Sequence, residues 1–428
     1  MKIQEVILEA VSGKISWLKA ADIVGVSART IRRWRARYEK TGYDGLLDRR
    51  KRIPSEKQVP LAQVREVLRL YRERYNGYNM RHFHETVTRD HGVKLSYNFV
   101  RSALQGALLV RKQKKRGGRH FVRRERKGCF GEMLHIDGSR HDWLSLGQNE
   151  KLTLIVVLDD ARSQMLYAQL WEEESTEAIL TALWEVVDLF GIPMALYNDR
   201  ASWAFYTPKA GEKVSKTVLT QVGRALDQLG VEHIAAYTPQ ARGRSERVNR
   251  TLQGRLCNEL RVQGITTKEG ANEYLRQVYL PLHNHGFSKV ARDPENLFVK
   301  AKGVHLREIF CMKESRVVSK DNVVRYQNIC FQIEKQAARS TCAGWEVKVH
   351  GYLDETYAIY RGEKCLGMYD REGKKLNPDP ASSSEKKGGL SLSTGAMDKA
   401  ILGTNELTPG SWITQGVTHL PTPPATSI

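Results

Sequence analysis

Between Glu132 and Leu256 the hydrophobic period changes again and again, and that succession narrows the fold more than any other feature. Glu132–Asp137 (EMLHID), Leu152–Leu158 (LTLIVVL) and Gln164–Leu170 read as three strands in hairpin order. Thr176–Phe190 then reads as an amphipathic helix, with Ile179, Leu183, Val186, Val187 and Phe190 on one side. Pro193–Tyr197 is a short strand ending in Asn198-Asp199. Val214–Leu229 is a helix and Val231–Ala236 a further strand. Three hairpin strands followed by alternating helix and strand predict a mixed sheet with helices on both faces.

A last helix is expected to start near Ser245 and run through Leu256. It carries the densest chemistry in the chain, YTPQARGRSERVNRTLQGRL over 237–256. One carboxylate, Glu246, stands among Arg242, Arg244, Arg247, Arg250 and Arg255. Asn249, Arg250 and Gln253 follow it by three, four and seven residues, which sets them on its face of the helix. Such an acid is either one member of a solvated salt-bridge face or a metal ligand where arginines hold a phosphate backbone.

The charge favours a polyanionic partner. Lys and Arg total 68 against 48 Asp and Glu, a net +20, and phosphate neutralisation supplies most non-specific affinity for nucleic acid. The six cysteines form no CxxC pair, which speaks against a zinc site, and their scatter fits a reducing compartment. The N-terminus has acids among its apolar residues and no signal-peptide core, and no apolar run reaches the length of a membrane span. A cytoplasmic protein with no membrane partner is expected.

Outside the α/β region the chain divides by texture. Residues 1–50 read as a helix-turn-helix domain, with Leu18, Ala21, Ile23, Gly25, Val26, Ile31 and Trp34 at the required spacing. Gly25 suits a positive φ and Ser27 an N-cap. Ile31 and Trp34 are expected inward, leaving Ala28, Arg29, Arg32 and Arg33 outward as a recognition helix shows them, with Ser27 and Thr30 beside them. Residues 51–110 form a second helical, helix-turn-helix-like domain. Residues 111–128 are a basic linker, with ten Lys/Arg and one acid within 111–127. The α/β core occupies 129–300. Short strands at Val317–Val324, Ile329–Ile333, Trp345–His350 and Thr356–Tyr360 predict a small β-barrel-like domain over 301–378. The Ser-, Gly-, Thr- and Pro-rich residues 379–428 are expected to be a disordered tail.

Three carboxylates stand at strategic places in the core. Asp137 in HIDGS is expected at a strand's end, Asp199 in YNDRAS ends another strand, and Glu246 begins a helix. In an open α/β sheet ligand sites gather at such places, and three converging carboxylates suit a hard divalent cation. By pattern alone Asp159-Asp160 is an equally well placed pair, and Asp142 and Asp188 remain candidates.

From Glu132 to about Phe298 the chain resembles the integrase-type core of DDE transposases, which has a ribonuclease H-like fold. The most specific match is AYTPQARGRSERVNRTLQGRL, similar to transposases of the ISNCY and IS481 types of insertion sequence. The resemblance implies that Asp137, Asp199 and Glu246 are the catalytic and metal-binding triad, and that Asp159-Asp160 is not catalytic. It implies two Mg²⁺ ions, for which Mn²⁺ can substitute, in hydrolysis at a transposon end followed by strand transfer into target DNA. Double-stranded DNA is then the partner, held by the helix-turn-helix residues Ser27, Arg29, Thr30, Arg32 and Arg33. In the core Arg242, Arg244, Arg247, Asn249 and Arg250 would hold it. A homo-oligomer on paired ends, in a bacterial nucleoid, is also implied.

Two features depart from the family. Asp199 is followed by Arg200-Ala201 where many integrase cores have Asn-Gly, and the second interval, 246 − 199 = 47, is longer than the usual integrase spacing. The extra residues are assigned to a loop at Ser202–Ser215. His283-Asn284-His285 could suggest a metal site, but in the family that place is structural. The alternatives are a sequence-specific DNA-binding protein with an inactive core, and a phage or retroviral-type integrase. A retroviral integrase would show a His/Cys zinc motif at the N-terminus, where this chain has a helix-turn-helix.

Overall fold

A computed structural model of the chain describes residues 3–46, 58–112, 124–145, 151–207, 214–215, 217–237, 243–335 and 341–376. These fall into two compact units, one within Met1–Asn76 and His84–Gln113, the other within Gly77–Phe83 and Lys114–Ile428. Arg242, most of the basic linker and the C-terminal tail lie outside the described residues.

The first unit is helical. Helices α1 (Ile3–Val11), α2 (Trp17–Val24) and α3 (Ala28–Thr41) enclose Val6, Ile7, Ala10, Ala20, Ala21 and Ile31. The turn between α2 and α3 follows its sequence. Gly25 has φ of 72°, and the Ser27 hydroxyl accepts the Thr30 N–H at 3.3 Å. Arg29, Arg32 and Arg33 are exposed, as expected. Leu18 and Ile23 are not core residues: they stand 63 % and 47 % exposed, because the small Ala20 and Ala21 take the inner face of α2. Further on, α4 (Leu61–Glu73), α5 (Met80–His91) and α6 (Tyr97–Gly106, capped by Ser96) follow, with α4 packed on α6.

The second unit opens with a five-stranded mixed sheet. Its strands are β1 (Leu134–His141), β2 (Leu152–Asp159), β3 (Met165–Trp171), β4 (Ala195–Asn198) and β5 (Glu232–Ala235), in the order β3-β2-β1-β4-β5. β1, β2 and β3 pair antiparallel, whereas β1, β4 and β5 run parallel. Helices α7 (Thr176–Phe190) and α8 (Gln221–Gln228) cover one face through Leu134, Ile136, Ile155, Val157 and Leu196. Helices α9 (Gly243–Val262) and α10 (Lys268–Tyr274) cover the other, where Leu252, Leu256 and Leu260 meet Leu154, Val156 and Leu158. A π-helical turn leads from α10 into α11 (Leu280–Phe287).

Two expected boundaries move. β1 runs four residues past Asp137, because all eight of its residues pair with β2, so that acid is within the strand rather than at its end. α8 starts at Gln221, not Val214, because local hydroxyl bonds compete with helix. Ser215 Oγ accepts the N–H of Thr217 and Val218, and Thr220 Oγ1 caps Gly223 at 3.1 Å.

A short helix, α12 (Leu306–Ile309), leads into an antiparallel β region: β6 (Met312–Val317), β7 (Val323–Tyr326), β8 (Ile329–Gln332), β9 (Glu346–Gly351), β10 (Tyr357–Arg361), β11 (Lys364–Tyr369) and β12 (Lys375–Leu376). Strands lie where β structure was expected, but they form an open sheet and a separate hairpin, not the expected barrel. Its main sheet is open, ordered β12-β11-β10-β9-β6, and the β7–β8 hairpin packs Val324 and Phe331 against Val347, Ile359 and Tyr369. Among the described residues no helix is long and apolar enough to cross a membrane.

Candidate active site

Strand β1 reads LHIDGSRH, and alternation decides what each side chain meets. Leu134 and Ile136 enter the apolar core under α7. His135, Asp137 and Ser139 turn to the α9 face, and all three are buried. Three buried polar groups in a row need partners. Asn249 Nδ2 donates to Asp137 Oδ2 at 2.8 Å, and Gln253 Nε2 donates to Ser139 Oγ at 3.0 Å. Helix α9 therefore lies along β1, in the same direction. Glu246 sits in its first turn, exposed, one turn before Asn249.

Asp199 follows the last residue of β4. β1 and β4 run parallel and pair Leu134 with Leu196 and His135 with Tyr197. Asp137 stands two residues beyond that last pair on β1, and Asp199 two residues beyond it on the other chain segment, just past the end of β4. The His135 and Tyr197 rings touch edge to face at 5.2 Å between centroids. Asp199 Oδ1 accepts the Ala201 N–H at 3.1 Å, a turn contact within the departing segment Asp199-Arg200-Ala201. Arg200 itself lies over the Tyr237 ring at 5.2 Å. Asp137 and Asp199 thus each stand two residues beyond one paired position of neighbouring strands, and Glu246 stands one helical turn before the residue that bonds Asp137. Carboxylates are hard oxygen donors and suit a hard divalent cation rather than a softer ion.

The arginine cluster divides. Arg247 and Arg250 are exposed. Arg244 and Asn249, both expected on DNA, turn inward instead, because buried carboxylates on the sheet need donors. Arg244 bonds Asp160, and Asn249 bonds Asp137.

Asp159 and Asp160 are fully buried but differ in environment. Burial pushes the Asp159 carboxyl up to about 6, against its bonds from the Arg162 and Gly131 N–H groups. Burial acts the same way on Asp160, but hydrogen bonds from His135, Arg244 and the Lys127 N–H outweigh it and hold that carboxyl well below the usual range. Glu174, after β3, was not singled out by sequence. Its Oε1 accepts the Trp203 Nε1–H at 2.7 Å, and Oε2 closes on the place where a Cβ on Gly138 would stand. The glycine beside Asp137 is what lets that carboxylate close on the strand. Asp142 caps a turn by accepting the Ser145 N–H at 2.9 Å.

His283 and Asn284 are structural. His283 is buried against Phe287, with ring centroids 4.6 Å apart, and desolvation lowers its pKa to about 4. Asn284 pairs with the Met165 backbone through both ends of its amide, each at 2.8 Å. Glu308, Cys311 and His350 in the β domain bring three ligand types within 4.8 Å of one another. Hydrogen bonds already join them, with His350 Nδ1 on Glu308 Oε2 at 2.9 Å and Cys311 Sγ on the Glu308 carbonyl at 3.3 Å.

A helix-turn-helix domain family matches residues 4–52, and a homeodomain-like domain family matches residues 30–104. Over 354 residues the chain is 28 % identical to the putative transposase y4bF of Sinorhizobium fredii, covering 82 % of this chain and 76 % of the relative. Over 424 residues it is 27 % identical to the transposase for insertion sequence IS1202 of Streptococcus pneumoniae, covering 89 % and 90 %. The magnesium complex of the HTLV-2 integrase catalytic core domain overlaps 36 % of this chain and 91 % of its own, at 15 % identity and a TM-score of 0.26. The resemblance to insertion-sequence transposases therefore extends over most of the chain.

Proposed function

We propose that this chain is a DNA transposase of the DDE class, which binds the ends of an insertion sequence and catalyses Mg²⁺-dependent strand cleavage and strand transfer. The observation that carries this reading is the buried Asp137 on β1, beside the parallel strand β4 that Asp199 follows, with the Glu246 helix tied to it through Asn249. The likeness to two transposases over most of the chain supports it.

In this reading Asp137, Asp199 and Glu246 hold the metal. Held by these carboxylates, divalent ions would activate the attacking water or 3′-hydroxyl and offset charge on the phosphoryl group. The protein's own part is positional. Asn249 directs one oxygen of Asp137, and the Ala201 N–H fixes one oxygen of Asp199. The exposed Arg247 and Arg250 hold the DNA backbone without reading sequence. Arg29, Arg32 and Arg33 on α3, with Ser27 and Thr30 at its start, face the major groove. The working unit is a homo-oligomer that pairs two ends. The domain limits expected from sequence, a helix-turn-helix part to residue 50 and a core over 129–300, are part of the same proposal.

The test compares wild type with Glu246→Gln on a labelled duplex carrying the element's own end. Wild type nicks at the end with Mg²⁺, whereas the variant binds equally and does not cut. If neither cuts while both bind, even with Mn²⁺ and paired ends, the chain is a DNA-binding protein with an inactive core.

A further inference from the structure

We propose that Asp160 is a positioning residue: it anchors the first turn of α9, and with it Glu246, to the strand that bears Asp137, and joins the end of the basic linker to the same point. The inference rests on the reading of Asp137 and Glu246 as metal-binding acids.

Asp160 follows β2 and has no exposed surface. Four groups converge on its carboxylate. His135 Nε2 bonds Oδ1 at 2.6 Å, and the Lys127 N–H donates to Oδ2 at 2.8 Å. The guanidinium groups of Arg124 and Arg244 both donate to Oδ1. Arg244 also donates to the Arg124 carbonyl at 2.9 Å.

The spacing gives the network its meaning. His135 stands two residues before Asp137 on β1, and Arg244 stands two residues before Glu246 on α9. Each acid is flanked at the same distance along the chain by a residue that ends on one carboxylate. The first turns of α9 need such an anchor. They carry Arg244, Arg247 and Arg250, and cations at a helix N-terminus oppose the macrodipole. A buried anion bonded to Arg244 offsets that, and Asn249 on Asp137 holds the next turn. Glu246 lies between the two ties. Arg124 and Lys127 bring the segment before the core to the same anion.

The test uses the full chain and reads amide hydrogen exchange over 243–252 in wild type, Asp160→Asn, Arg244→Gln and Arg244→Lys. Exchange there is expected to rise about 10-fold or more in the first two variants and to stay near wild type in the third, with α3 and α7 unchanged. Metal-dependent cleavage is read in parallel. The half-saturating Mn²⁺ concentration is expected to rise about 10- to 100-fold in Asp160→Asn, with end binding kept. Should Asp160→Asn fail to fold, Arg244→Gln, which removes one partner and leaves the anion, decides. Unchanged exchange over 243–252 in the folded variants overturns the anchor, whether or not wild type cleaves. If exchange rises but wild type cuts no end, the anchor stands and the transposase reading fails.

Discussion

Asn249 Nδ2 lies 2.8 Å from Asp137 Oδ2 and joins the middle of β1 to α9 one turn beyond Glu246. A donor beside a metal-binding carboxylate fixes which lone pairs remain for the ion, and loss of such partners costs about 10- to 100-fold in metal affinity or activity. Asn249→Ala is expected to lower end cleavage by about that factor while leaving end binding intact. Asn249→Asp is expected to do worse, since it sets a second negative charge against Asp137. Cleavage rates measured across an Mg²⁺ titration check this, and wild-type rates in Asn249→Ala would remove Asn249 from the site.

Gly138→Ala tests the close approach on the other side of β1. The added Cβ would collide with Glu174 Oε2, and Glu174 is held by Trp203 Nε1 at 2.7 Å. Trp203 belongs to the segment that leaves Asp199, so the clash would reach the second acid. Overpacking of this kind costs about 1–3 kcal/mol. A urea midpoint lowered to match, together with slower cleavage, is the expected result; an unchanged midpoint would mean that Glu174 swings away freely.

His233 makes stability depend on pH. Burial lowers its pKa to about 4, and it bonds Asn198 Oδ1 at 2.8 Å while stacking on Phe205. The unfolded chain binds the proton from about pH 6.5 downward. Between those values the unfolded state carries more protons, so stability is fully present above about 6.5 and is lost as pH falls toward 4. The loss from this one group is roughly 3 kcal/mol. His283 shifts in the same direction and to about the same value, so His233→Gln should flatten only part of the slope. Unfolding midpoints at pH 7 and pH 4.5 measure it, and identical slopes in the two proteins would refute the assignment.

The exposed arginines of α3 give a salt signature. If Arg29, Arg32 and Arg33 meet phosphates, each change to Ala should reduce the slope of log affinity against log salt by about 0.9. An arginine that reads a base edge should instead relax sequence preference with little change in slope. Binding isotherms on the element's end and on an unrelated duplex, at several salt concentrations, separate the two. No change in either quantity would take α3 off the DNA.

Some of the candidate site was legible in the sequence and some was not. Asp137, Asp199 and Glu246 could be chosen because each was expected at a change of element, although Asp137 lies within β1, and a resemblance separated them from Asp159-Asp160. The alternation His135, Asp137, Ser139 on β1 is legible in the sequence itself. What α9 does with Arg244 and Asn249 was not legible, because both sit among exposed-looking basic residues. Their inward direction depends on which carboxylates the sheet buries beneath them. The start of α8 was misjudged for a local reason: the hydroxyls of Ser215 and Thr220 bond backbone N–H groups that a helix would otherwise use.

The sequence by itself determined the mixed α/β core, the turn at Gly25 with its Ser27 cap, and the basic character of the chain. These follow from period, backbone freedom and charge, which are local properties. Only the tertiary structure decided that β1 runs on past Asp137, that β4 pairs with the start of β1, and that α9 lies along the strand in register with its polar side chains. The physical reason is pairing. A strand's length is set by the partner that satisfies its backbone, and a buried polar side chain points to whichever donor reaches it. Neither partner is named by neighbours in the chain.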